Sequence, residues 1–251
     1  MTNTPPFGEL LTLIENRSAA LRTAVASAPD LDARVPGCSE WTLRDLVAHL
    51  GGVQRSWAVG VQAGPADGPP SSTDMGDISP DSDLLEWSTE STQLLIDALR
   101  RVGPDARCWT WWGRSDAPSD SGAVARHQVE EAAVHAYDAQ EAIGRPEPLP
   151  LPIAIDSVAE FLVVGLGAQG PWPHEPALLV FAATEGSTWW VDLTPEGAKL
   201  IPADGGEPVA TVSGTANDLI LALFGRVQLE RLQIDGDRQL VVKLLDWVDT
   251  E

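Results

Sequence analysis

The sequence predicts an α+β protein in two parts: a four-helix bundle over residues 1–150 and a smaller α/β domain over residues 170–251. Three observations carry this. Apolar residues recur at helical spacing through much of the first 150 residues, broken by Gly/Pro/Ser-rich stretches. EPLPLP at 147–152 reads as a linker. Beyond it, ALLVFAA (177–183) and STWWVDL (187–193) have the length and the apolar, partly β-branched and aromatic composition of strands.

Taken in order, residues 8–28 place Leu10, Leu11, Leu13, Ile14, Leu21 and Val25 at helical spacing, and Pro29 ends that first helix. A second begins at Thr42-Leu43-Arg44-Asp45, an N-cap with an acid three residues on. Its stripe of Leu46, Leu50, Val53 and Trp57 includes His49, which therefore faces the core side. Gly51 and Gly52 follow, each costing the helix about 1 kcal/mol relative to alanine, which suggests that they make room for something. Residues 64–80 read as a loop, and 81–102 as a third helix with Leu84, Leu85, Trp87, Leu94, Leu95, Ala98 and Leu99 inward. CWTWWG at 108–113 is either core or a pocket wall. RHQVEEAAVHAYDAQEAIG (126–144) is the fourth helix, ended by Gly144 and Pro146.

A further helix over 153–168 can pack on the bundle. The two strand-like runs after it form a hairpin through Thr184-Glu185-Gly186. Then follow a strand over 208–213, a helix over 215–224, a short strand over 229–234 and a last helix over 237–248.

Composition excludes several function classes. With 37 acidic against 16 basic residues the net charge is −21, so the average field repels nucleic acid and anionic membranes, and neither is expected as a partner. No basic, apolar leader opens the sequence, and VAEFLVVGLGA (158–168) is too short to span a bilayer, so a cytoplasmic protein is expected. Cys38 and Cys108 form no C-x-x-C and read as reduced. Cys38 precedes the second helix, where a helix N-terminus can activate a thiol, but a structural role is the simpler reading.

Glu131 and His135 are one turn apart on one helix face, and His49 supplies a second inward imidazole from another helix. Two histidines and a carboxylate make a three-ligand site with an open fourth position, the arrangement zinc uses for chemistry, though the ligand types do not exclude nickel, iron or manganese. The other reading is a pair of neutral buried histidines with Glu131 in ordinary ion pairing. Spacing alone leaves both standing. Asp45 and Asp138 sit one turn from a histidine and can accept an imidazole N–H; equally, Asp45 can cap its helix and Asp138 can be solvated. His127 and His174 lack partners at ligand spacing and read as surface or structural.

WTLRDLVAHL (41–50), followed by EAAVHAYDA (131–139) and AIG (142–144), resembles the mycothiol-dependent maleylpyruvate isomerase family, a branch of the DinB-like metal-binding four-helix bundles. LTPEGA (193–198) and GTANDLILALFGR (214–226) resemble, more softly, the α/β domain of that family, whose pattern is similar to sterol-carrier folds. The resemblance implies that His49, Glu131 and His135 hold a divalent metal, usually zinc, and that the open position receives mycothiol, a low-molecular-weight thiol. It implies an isomerase or thiol transferase acting on a small electrophilic substrate. It also implies an arginine of the second domain near the metal, for which Arg226 is the candidate. The alternative is a noncatalytic small-ligand-binding or regulatory protein with a purely structural bundle.

Overall fold

The structure is a computed structural model, and it describes residues 4–75, 79–80, 83–203 and 206–248. They form two compact units, one of residues 4–111 with 118–149, the other of residues 112–117 with 150 onward.

The first unit contains α1 (Phe7–Ala26), β1 (Arg34–Val35), β2 (Cys38–Thr42), α2 (Leu43–Ala63), α3 (Ser72–Met75), α4 (Leu84–Val102) and α5 (Ser121–Ala142). The four long helices make a bundle in which α2 packs mainly on α4 and α1 on α5. Burial follows the helical periods. Leu46, Leu50 and Trp57 of α2 are buried as expected, but Leu94 of α4 faces solvent at 48% exposure while Ser88, Ser91 and Thr92 turn inward.

Those inward polar groups are satisfied. Gln54 Nε2 donates to Ser18 Oγ at 2.9 Å, Thr92 Oγ1 lies 2.9 Å from Gln54 Oε1, and Arg22 Nη1 donates to Thr92 Oγ1 at 3.0 Å. The chain of bonds ties α1, α2 and α4 together at one level, a specificity device an all-apolar seam would lack. Gly51 answers to a packing need: a Cβ there would land on the ring of Trp87.

α5 starts five residues earlier than the sequence reading placed it, at Ser121, with Asp120 Oδ1 accepting from Ala123 N at 2.9 Å. Its alanines set how closely helices approach. Ala132, Ala136 and Ala139 lie in one apolar cluster with Leu21, Val25, Leu43, Leu46 and Leu50, so the helix carrying Glu131 and His135 sits against a tight, dry wall.

The sequence signal for the β1–β2 hairpin is short: Leu31, Ala33 and Val35 alternate with polar residues and Pro36-Gly37 marks a turn, but Cys38–Thr42 shows no alternation, and no strand was expected there. Leu43 N donates to Ala33 O at 3.0 Å and Arg44 N to Leu31 O at 3.1 Å, which fastens it to the start of α2.

The second unit contains α6 (Leu151–Val163), β3 (Ala177–Ala183), β4 (Thr188–Thr194), β5 (Gly197–Ile201), β6 (Ala210–Gly214), α7 (Ala216–Leu223), β7 (Gln233–Gly236) and α8 (Arg238–Trp247). The sheet order is β5-β4-β3-β6-β7, with β3 and β6 parallel and every other pair antiparallel. β4 alternates as a half-buried strand should, Trp189, Val191 and Leu193 inward.

Four details differ from expectation. The helix expected over 153–168 runs from Leu151 to Val163, and its packing on α7 and β5 puts it in this unit. β5 was not foreseen, since Gly197-Ala198-Lys199 lacks strand composition and forms by pairing with β4. The strand expected over 229–234 is a 3₁₀ turn at Leu229–Arg231 followed by β7. The third helix begins at Leu84; residues 81 and 82 lie outside those described.

Candidate metal centre

Local sequence rules deliver His49. Thr42 Oγ1 accepts from Asp45 N at 3.2 Å while Asp45 Oδ2 accepts from Thr42 N at 2.9 Å, a reciprocal capping box that starts α2 and sets His49 two turns in. Asp45 is exposed and its carboxylate is held down by the Thr42 hydroxyl and amide, so of its two possible roles the bonds show the capping one.

His49 Nε2 lies 3.1 Å from Glu131 Oε1, and His135 Nε2 lies 3.4 Å from the same oxygen. The ligand-competent atoms of the three residues all fall within 4.8 Å of one another. The second helix and the fourth do bring the predicted triad together. His135 and Glu131 are the more enclosed, at 8% and 18% side-chain exposure; His49 is the more exposed, at 34%.

Asp138 is fully buried, and its Oδ2 accepts from His135 Nδ1 at 2.9 Å. Holding a proton at Nδ1 leaves the lone pair of the neutral ring at Nε2, the atom aimed at Glu131. Burial pushes the His135 pKa down, but the Glu131 charge and the bonds to Asp138 and Glu131 outweigh it and raise it to about 9. Burial likewise pushes Glu131 up, and the two imidazoles reverse this and bring it well below the usual carboxylate range. One carboxylate facing two imidazoles is thus a strongly polarised, enclosed cluster. The donor set fits a divalent cation: two imidazole nitrogens and one carboxylate oxygen converge, with one ring already oriented from behind.

Two further side chains reach the centre. The Trp41 indole packs 4.5 Å from the His49 ring and 6.0 Å from that of His135, centroid to centroid. Cys38 is in β2 rather than at the helix terminus, and its Sγ lies 3.9 Å from Asp138 Oδ2. Neither role had been assigned from sequence. Trp41 belonged to the resembling motif, which was its one signal.

The remaining candidates lie elsewhere in their units. Trp57 stacks with Trp109 at 6.1 Å, and His127 meets the edges of Trp57 and Trp111 at 6.4 and 5.6 Å. Exposed His174 sits edge-on to Trp172. Cys108 is buried, and burial pushes its thiol up to about 11. Arg226 follows α7, its Nη1 donating to the Phe224 carbonyl at 2.7 Å and its guanidinium 5.7 Å from the centre of the Phe224 ring.

A four-helix bundle with two histidines and a glutamate converging inside it, joined to a small mixed-sheet unit, defines the class of protein. The family model described as the mycothiol maleylpyruvate isomerase N-terminal domain matches residues 11–140, and that of the MDMPI C-terminal domain matches 152–243. The chain belongs to the mycothiol maleylpyruvate isomerase family. Two solved structures, the mycothiol-dependent maleylpyruvate isomerase and a histidine-to-alanine mutant of it, are similar with TM-scores of 0.60 and 0.61. Each is 17% identical, and the match covers 93% of this chain and 95% of that one. At that identity the likeness shows a shared fold. No curated protein sequence matches. No helix among the described residues is long and apolar enough to cross a membrane.

Proposed function

We propose that the protein is a metal-dependent enzyme that uses mycothiol to isomerise, or to transfer thiol to, a small electrophilic substrate. The observation that carries this reading is the convergence of His49, Glu131 and His135 within 4.8 Å. Those residues would hold a divalent metal; the family resemblance points to zinc, while the donor set itself also suits nickel, iron or manganese. A zinc ion there supplies stabilisation of thiolate over thiol at neutral pH.

The chain's own residues do the rest. Glu131 contributes the negative charge that retains a dication. Asp138 fixes the tautomer of His135. The Ala132, Ala136 and Ala139 wall excludes water behind the ligands. On a chain of charge −21, an anionic substrate needs local positive charge, and Arg226 is assigned that grip because a guanidinium binds a carboxylate with two parallel hydrogen bonds.

The second unit has a partly open apolar hollow lined by Phe181, Val212, Leu219, Leu232 and Val241, with room for about one water. The noncatalytic reading would place a small apolar ligand in this unit, and an apolar ligand that co-purifies with metal-free protein would favour it.

Zinc retention and thiol dependence test the proposal. Protein loaded with zinc and desalted should keep about one ion per chain, and His49→Ala and His135→Ala should lose most of it. Turnover of activated alkenes should require mycothiol and respond poorly to glutathione. Full zinc retention by both variants, or equal rates without thiol, overturns the reading.

A further inference from the structure

The two histidines are oriented by different means. His135 has Asp138 behind it, bonded to Nδ1 at 2.9 Å. For His49, Nδ1 has no hydrogen-bond partner among the described residues; its one bond runs from Nε2 to Glu131. A ligating histidine ordinarily donates its second N–H to an acceptor that fixes the ring. Another contact of the His49 ring at this centre is with an aromatic ring. The indole of Trp41 lies 4.5 Å from the His49 imidazole, inclined by 40°, and the same indole reaches the His135 ring at 6.0 Å. The imidazoles meet each other edge to face at 5.1 Å.

The indole is supplied by one short strand that touches both supports of the histidines. β2 begins at Cys38, whose Sγ lies 3.9 Å from the Asp138 oxygen that holds His135. It ends at Thr42, which caps the helix bearing His49. Trp41 stands between them; its neighbour Thr42 is held in the capping box and Leu43 N donates to Ala33 O.

We infer that Trp41 is a positioning residue of the centre: its indole face holds the His49 imidazole in the orientation that brings Nε2 to Glu131, replacing the missing hydrogen-bond acceptor. This inference rests on the metal-centre reading for its consequence, not for its geometry. A free imidazole on an exposed helix face samples several rotamers, and the ion would have to select one of them. A ligand with a partly exposed side chain needs such support more than an enclosed one.

The experiment separates the two readings. With 4 histidines in the chain, ¹³C relaxation at the ring Cε1–H of His49 can be followed in metal-free protein. His49 should be rigid in the wild type and in Trp41→Phe, which keeps an aromatic face, and mobile in Trp41→Leu. Zinc affinity measured against a competing chelator should fall about tenfold or more in Trp41→Leu and stay within about threefold in Trp41→Phe, the scale of loss usual for residues behind metal ligands. Trp41→Met makes the same comparison if the leucine variant fails to fold. A His49 ring that stays rigid in the non-aromatic variants overturns the inference, as does mobility without any loss of affinity. Failure of the wild type to bind zinc would remove the metal reading, while the relaxation data still decide the role of Trp41.

Discussion

Asp138 Oδ2 stands 2.9 Å from His135 Nδ1 in a fully buried position, so the histidine is oriented before any ligand arrives. Replacing Asp138 with alanine should therefore weaken zinc binding by about 10- to 100-fold without removing any of the three ligands. Competition with a chelator measures this. Affinity equal to that of the wild type would show that the bond is not what orients the ring.

The same cluster sets a pH dependence. In metal-free protein the His135 pKa is raised to about 9, above its unfolded value near 6.5, so its contribution to stability is full below about pH 6.5 and is lost as pH rises through 9. Glu131 is depressed, so its contribution is present above about pH 4.5 and lost on acidification. Metal-free melting temperature should fall between about pH 6.5 and 9. Zinc binding runs the other way, because the ligand must be neutral: affinity should rise with pH over that window, with proton release detectable by calorimetry in two buffers. A flat profile would mean that His135 is already neutral at pH 7.

Arg226→Lys keeps a positive charge beside Phe224 and removes the planar fork. If Arg226 grips substrate, kcat/KM should fall at least about tenfold, or roughly 1.4 kcal/mol, with zinc content and melting temperature nearly unchanged. Unchanged kcat/KM would rule out the substrate-gripping role.

Gly51→Ala tests the packing beside the centre. The added methyl meets the Trp87 ring, which is 6% exposed and cannot swing into open space, so destabilisation of about 1–3 kcal/mol is expected. Because Gly51 lies two residues past His49, a displaced α2 should also loosen zinc. Chemical denaturation and chelator competition on one preparation separate the two effects.

The sequence by itself determined the four bundle helices, the one-turn pairing of Glu131 with His135 and the inward face of His49, while the meeting of His49 with Glu131 across 82 residues was decided by the tertiary structure. The first three are set by short-range rules: the period of Leu46, Leu50 and Trp57, the Thr42–Asp45 cap, and the one-turn spacing of Glu131 and His135. It also registered that Gly51 was anomalous in a helix, without showing what it accommodates. Only the tertiary structure decided that this was Trp87, a residue 36 positions on. The same holds for what supports the histidines. Asp138 could as well have been solvated, and its burial is a property of how α5 meets its neighbours. Asp45, the same type of residue one turn from a histidine, stayed at the surface as a cap. The β1–β2 hairpin has only the short alternation of Leu31, Ala33 and Val35 and the Pro36-Gly37 turn to mark it, and β5, with its mixed composition, is stabilised by pairing with β4. That is why Trp41 and Cys38, brought to the centre by that hairpin, were visible in the sequence as residues but not as parts of a site.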